Sequence, residues 1–354
     1  MSILSQLAVP VIAAPMAGGP STPRLVEAVA RVGGLGFLAG GVLPAEKFTP
    51  QLGEVDPAAG TWGVNLFARQ NPYHSLGQIR DVARMLEPYF AERGLERPRV
   101  SEVDYDYGWD GKFAAVLDAA RAGRGPAVVS CTFGRFTLEE TAALHEAGLE
   151  AWVTVTHERD AVAAARAGAD ALVVQGPEAG GHRGTWTVET LPDLRPLSAL
   201  VAAVAEVTDL PLVAAGGLTT PRRVARALTW PGVAAVACGS AFLLAEEAGT
   251  SAANRQLLAA GKAETETTRA FSGRHARGLE TAFTRAHREL PPSYPQLNMM
   301  QKPLRGEPEF AYCLAGENYR DAKAAPAGEI VKYLSGADGA DRGTVDDGRS
   351  DDGA

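Results

Sequence analysis

Along this chain, short apolar runs alternate with alanine-rich stretches whose apolar positions recur at helical spacing. The runs fall at residues 10–14, 35–39, 63–67, 127–131, 151–155, 171–175, 212–215 and 234–238. Each is apolar almost throughout, the pattern of strands covered on both faces. Eight such strands joined by helical crossovers predict an α/β fold. In a chain of 354 residues they favour a (β/α)8 TIM barrel over an open doubly wound sheet. Helix starts keep the same register: Thr22-Pro23, Thr137 with Glu140, and Thr220-Pro221 place capping hydroxyls and N1 prolines where helices must begin. Gly33, Gly148 and Gly168 stand where helices should end.

Two regions break the alternation. Residues 69–125 are long and polar, with Tyr73, Tyr89, Tyr105, Tyr107 and Trp109, and read as a loop-and-helix connection over one end of the barrel. After Ser240 the chain turns polar and helical from Leu243 to about Thr284, then proline-rich through Pro291, Pro292 and Pro295. This predicts a small, mainly helical lid at the C-terminal mouth. The expected division is a barrel over 1–242, a lid over 243–300, a segment packing back on the barrel over 301–334, and a tail over 335–354.

Composition narrows the function. The tail carries six Asp against two Arg, so −4 of the net charge of −8 is local to it, and it reads as a disordered acidic segment. An acidic chain argues against a nucleic-acid or anionic-membrane surface. Cys131, Cys238 and Cys313 stand far apart without metal spacing, which suits a reducing compartment. The N-terminus lacks a basic and apolar leader pattern, and no window is long enough for a membrane span; a cytoplasmic protein is expected.

In a barrel of this kind chemistry belongs at the C-terminal strand ends. The first strand there ends in Ala14-Pro15-Met16-Ala17-Gly18-Gly19, the third carries Asn65, and the fourth ends in Cys131-Thr132-Phe133-Gly134. The sixth runs into Gln175-Gly176-Pro177-Glu178-Ala179-Gly180-Gly181-His182-Arg183-Gly184. Paired glycines let backbone approach a flat or phosphorylated ligand, and an imidazole beside them is a candidate acid/base. Gly216-Gly217 after the seventh strand, Gly239-Ser240 after the eighth, and the helix opened by Thr220-Pro221 suit a phosphate. No GxGxxG follows the first strand and no Walker lysine appears, so a mononucleotide cofactor fits better than a dinucleotide or a P-loop. His74, His145, His157, His275 and His287 receive no role, His157 reads as a solvated first-turn residue, and Glu178 reads as an exposed loop carboxylate. No metal-site spacing or nucleophile elbow is present.

The set Ala14-Pro15-Met16-Ala17, Gly63-Val64-Asn65, the Gln175 to His182 motif, Ala214-Ala215-Gly216-Gly217-Leu218, Ala237-Cys238-Gly239-Ser240 and Thr268-Arg269-Ala270-Phe271-Ser272-Gly273-Arg274 resembles the nitronate monooxygenases, FMN-dependent barrels. The resemblance implies FMN contacts from Pro15, Met16, Asn65, Gln175, Gly180, Gly181, Gly216 and Gly217. It implies a phosphate seat at Ala237, Cys238, Gly239 and Ser240, and an active-site His182. It implies oxidation of an alkyl nitronate by O2 to a carbonyl compound and nitrite. Thr132 stands where some members carry a second histidine, and is expected near the substrate. The same scaffold resembles FMN-dependent enoyl-acyl-carrier-protein reductases and NAD(P)H:quinone reductases, and a non-catalytic flavin-binding protein stays open. Expected partners are a small-molecule substrate and O2, with a homodimer left open.

Overall fold

The computed structural model describes residues 2–71 and 75–337. Its strands are β1 (Val11–Ala13), β2 (Leu35–Ala39), β3 (Trp62–Phe67), β4 (Val128–Thr132), β5 (Glu150–Val155), β6 (Ala171–Gln175), β7 (Gly181–His182), β8 (Leu212–Ala215), β9 (Val233–Cys238), β10 (Thr265–Thr268) and β11 (Ala276–Leu279). Eight of these close a parallel barrel in the order β1-β2-β3-β4-β5-β6-β8-β9, with β9 returning to β1 in the register Ile12 to Ala237. All eight coincide with the apolar runs to within one residue at each end.

Large and small residues share the barrel interior. Phe37 and Trp152 meet at a centroid distance of 5.9 Å, and Gly63 makes room for the Phe37 ring. The N-terminal turn closes the bottom: Leu4 packs against the same interior cluster, and the Glu150 carboxylate accepts from Ile3 N at 2.7 Å and from Trp152 Nε1 at 2.8 Å. The other end is left for chemistry.

The helices are α1 (Pro23–Ala30), α2 (Ala45–Glu54), α3 (Leu76–Glu92), α4 (Trp109–Arg121), α5 (Leu138–Glu146), α6 (Glu158–Arg166), α7 (Leu197–Ala205), α8 (Pro221–Ala227), α9 (Ala252–Ala260), α10 (Ala282–Ala286), α11 (Gln296–Met300) and α12 (Ala327–Leu334). Thr22, Thr137 and Thr220 cap α1, α5 and α8 through their hydroxyls, Thr137 in a full capping box with Glu140. Gly33, Gly148 and Gly168 follow their helices at φ 85°, 76° and 86°.

The insertions differ in part from expectation. The long connection after β3 splits. Its α4 packs on α2 at the barrel wall, whereas α3 joins a second core: Val82, Leu86 and Phe90 pack with Phe283, Leu297, Leu304 and Phe310. The stretch expected to be helical from Leu243 to Thr284 holds α9 and part of α10, but between them runs the antiparallel hairpin β10-β11, which pairs with β7 of the glycine motif. Pairing with a strand some ninety residues earlier in the chain overrides the local helical composition. From Cys313 the chain crosses the barrel mouth as a strap, then forms α12 against α1 and α8. The acidic tail expected over 335–354 lies outside the described residues from 338 onward, as do Tyr73 and His74. Among the described residues, no helix is long and apolar enough to cross a membrane.

Candidate active site

The glycine motif leaves β6, turns at Gly180, and returns as β7, where His182 stands opposite Ala276 of β11. Its imidazole lies edge-on to Phe133 (6.1 Å between centroids) and Tyr294 (5.2 Å). Nε2 and Ser272 Oγ share a hydrogen bond of 2.7 Å. Two guanidiniums flank this group, that of Arg274 buried and that of Arg305 half-buried. Arg274 lies 4.0 Å over the Phe133 ring and donates to Thr185 O and to Gln70 Oε1, each at 2.6 Å. Arg305 donates to Asn298 Oδ1 at 2.6 Å and lies 3.8 Å over Tyr312. Neither has a carboxylate partner among the described residues, and Arg274 Nε is buried without any acceptor. Burial, with Arg274 and Arg305 adding repulsion, pushes His182 down to about 3; burial also pushes Arg274 down to about 10.

A polar ladder links the neighbouring strand ends. Asn65 Nδ2 donates to Ser130 Oγ at 2.9 Å and Thr132 Oγ1 at 3.1 Å, and Thr132 Oγ1 lies 3.2 Å from Thr154 Oγ1. Gln175 braces the motif: its Nε2 donates to His182 O at 3.0 Å, and its Oε1 accepts from Gly184 N at 2.7 Å. Asn65 thus meets Thr132 in the ladder, and Gln175 holds the backbone of His182. The hydroxyl of Thr132 and both ends of the Gln175 amide already serve internal bonds.

On the opposite side of the mouth lie the ends of β8, β9 and β1. Ala14 N donates to Cys238 O at 3.0 Å, which ties the Pro15-Met16 turn to the end of β9, and Met16 N donates to Ser21 Oγ at 2.9 Å. Ala237 and Cys238 are buried, and burial pushes the Cys238 thiol up to about 12, so it stays protonated. Among the described residues the backbone N–H groups of Gly217, Gly239 and Ser240 find no acceptor. Three unsatisfied donors at adjoining strand ends suit the phosphate of a mononucleotide.

The missing side chain of Gly180 makes room for the strap: a Cβ there would stand 2.3 Å from Gly316 N and 2.5 Å from Ala315 C. That approach is backbone on backbone, while at Gly181 a Cβ would meet nothing within 4 Å. The reading of Glu178 is corrected, since it is half-buried and its Oε1 accepts from Leu197 N at 3.0 Å, capping α7. His157, expected to be solvated, caps α6 with Nε2 buried and unpartnered, its Nδ1 3.7 Å from Asp193. Together with Glu158 these residues could gather round a cation, but Arg195 already bonds both carboxylates and fills that charge role.

Sequence reasoning missed Phe133, Tyr294, Arg305, Ser272 and Arg274 as parts of one site. The last two lie in the segment from Thr268 to Arg274 that only the resemblance marks, Phe133 stands beside Thr132 at the end of the fourth strand, and Tyr294 and Arg305 carry no motif of their own.

A closed parallel barrel with an acid/base candidate, polar ladder and phosphate-suited rim at its C-terminal end is the architecture of a barrel enzyme. The nitronate monooxygenase family profile matches residues 1–336. Nitronate monooxygenase of Pseudomonas aeruginosa is 36% identical over 338 residues, covering 92% of this chain and 95% of that protein. A probable nitronate monooxygenase of Staphylococcus aureus (strain MSSA476) is 31% identical, covering 92% and 93%. Among solved structures, nitroalkane oxidase from Streptomyces ansochromogenes superposes with a TM-score of 0.84 at 35% identity, covering 94% and 96%. FabK from Thermotoga maritima, at 22% identity and a TM-score of 0.68, shares the fold. The chain belongs to the nitronate monooxygenase family of oxidoreductases.

Proposed function

We propose that this chain oxidises anionic alkyl nitronates with O2 to a carbonyl compound and nitrite, with FMN at the barrel mouth and His182 as acid/base. The observation that carries this reading is the His182 imidazole, which burial pushes toward its neutral form, beside the guanidiniums of Arg274, which is buried, and Arg305, which is half-buried, neither ion-paired to a carboxylate among the described residues. A small anion supplies the missing negative charge, and a cation buried without one is costly. FMN, when bound, supplies the one-electron and O2 chemistry that no side chain offers. Gly217, Gly239 and Ser240 would hold its phosphate through their unpaired N–H groups, with Pro15, Met16, Asn65 and Gln175 along its length.

The chain's own residues do the rest. Phe133 and Tyr294 wall the site from water, and the guanidiniums orient the anion. Ser272 engages Nε2 of His182, which leaves Nδ1 to accept a proton or to meet the substrate.

Anaerobic mixing of the holoprotein with a propyl nitronate and, separately, with NADPH tests the reading. Bleaching of the flavin absorbance by the nitronate is the expected result. Reduction by NADPH alone would turn the assignment to a reductase, and a protein that takes up no FMN would remove the cofactor altogether.

A further inference from the structure

The strap that crosses the barrel mouth is bonded to the ends of β8 and β9, the two strand ends expected to hold the cofactor phosphate, and to the glycine motif after β6. Gly316 N donates to Ser240 Oγ at 2.7 Å, after β9. Asn318 Nδ2 donates to Gly217 O at 3.0 Å, after β8. Glu317 N donates to Glu178 O at 3.1 Å, in the motif after β6. Glycine is required on both sides of the last junction: a Cβ on Gly316 would stand 2.8 Å from Glu178 O, and one on Gly180 would stand 2.3 Å from Gly316 N. Backbone cannot yield as a flexible side chain can, so either substitution lifts the strap.

We propose that Gly316 and Asn318 are cofactor-retaining residues: the strap from Ala315 to Asn318 fixes the phosphate-binding turns in their donor geometry and closes the seat behind the bound mononucleotide. This inference rests on the FMN reading above. Because the Ser240 oxygen accepts from Gly316 N, its own proton is left to donate outward to a phosphate oxygen. Asn318 holds the Gly217 carbonyl, and the trans peptide then aims the Leu218 N–H the opposite way. The strap is itself anchored beyond these contacts, since Asp321 Oδ2 accepts from Thr219 Oγ1 and from Arg223 NH1, each at 2.7 Å. Release of FMN thus requires the strap to part from β8 and β9.

The test is the rate at which FMN fluorescence appears when holoprotein is diluted, compared between wild type, Asn318→Ala, Asn318→Asp, Gly316→Ala and Gly180→Ala. Loss of one hydrogen bond in Asn318→Ala should speed release about fivefold, and the lifted strap of Gly316→Ala roughly tenfold or more. Asn318→Asp, which sets an acceptor against the Gly217 carbonyl, should equal or exceed Asn318→Ala. The Asn318 variants carry the test if Gly316→Ala does not fold, with the melting temperature of the FMN-free proteins as the check on folding. Release at the wild-type rate from the folded Asn318 variants overturns the inference. So does faster release from Gly180→Ala alone, which would make that glycine a wall against the flavin. A wild-type protein that takes up no FMN overturns the cofactor reading, and the inference falls with it.

Discussion

A histidine packed between Phe133 and Tyr294, with two guanidiniums nearby, cannot take up a proton where a free imidazole does. Burial, then Arg274 and Arg305, pushes His182 down to about 3, so its ring is neutral at pH 7 and can act as a base but not as a standing imidazolium. Ser272 fixes which nitrogen is free. Under the proposed acid/base role, replacing His182 by Ala should lower turnover roughly a hundredfold while FMN content is unchanged, because that role serves a chemical step and not a binding contact. Replacing Ser272 by Ala should lower kcat about fivefold with KM little altered, since one positioning hydrogen bond is lost. Steady-state kinetics read both variants. Full kcat in Ser272→Ala would assign the ring's placement to Phe133 and Tyr294 alone, and unchanged kinetics in His182→Ala would move the acid/base elsewhere.

At the scale of elements, the barrel depends on small residues facing large ones. A Cβ at Gly63 would stand 2.4 Å from the Phe37 ring, which is itself held against Trp152. Gly63→Ala should cost about 1–3 kcal/mol through overpacking and lower the melting temperature by several degrees; an unchanged melting curve would show that the ring shifts freely. The eight strands were legible in the sequence because strands buried on both faces read as unbroken apolar runs, and the caps at Thr22, Thr137 and Thr220 are local signals. The lid hairpin was not legible. Thr265 to Thr268 is short and polar, and its strand character comes from partners far away. Likewise Asn318 meets Gly217 across 101 positions and Arg274 meets Gln70 across 204, separations on which local spacing is silent. The glycine motif was legible as a site, yet the role of Gly180 was not, because only the folded chain shows which backbone comes close to it.

For the whole molecule, the same buried site sets how the fold responds to acid. His182 is held down to about 3 and His275 to about 4, both chiefly by burial, with Arg274 and Arg305 acting on the first and Arg269, Arg183 and Arg274 on the second. An unfolded chain releases both to the ordinary value of 6.5. Below that pH the unfolded state binds protons that the folded state refuses, so stability falls as pH falls, by up to about 1.4 kcal/mol per pH unit for each such group. Further down the carboxylates add to the loss: Glu158 and Asp193 are held low by hydrogen bonds from Arg195, and Glu307 by one from Arg93. Asp160, raised by burial, works in the opposite direction. Urea midpoints measured at about pH 7.5 and about pH 5 should therefore differ clearly, the acid sample being weaker. His275→Asn, which removes one of the three imidazoles that burial holds low, His287 being the third, should flatten that dependence. A midpoint that does not move between the two conditions would mean that solvent reaches both rings, and with it the argument for a neutral His182 would fail.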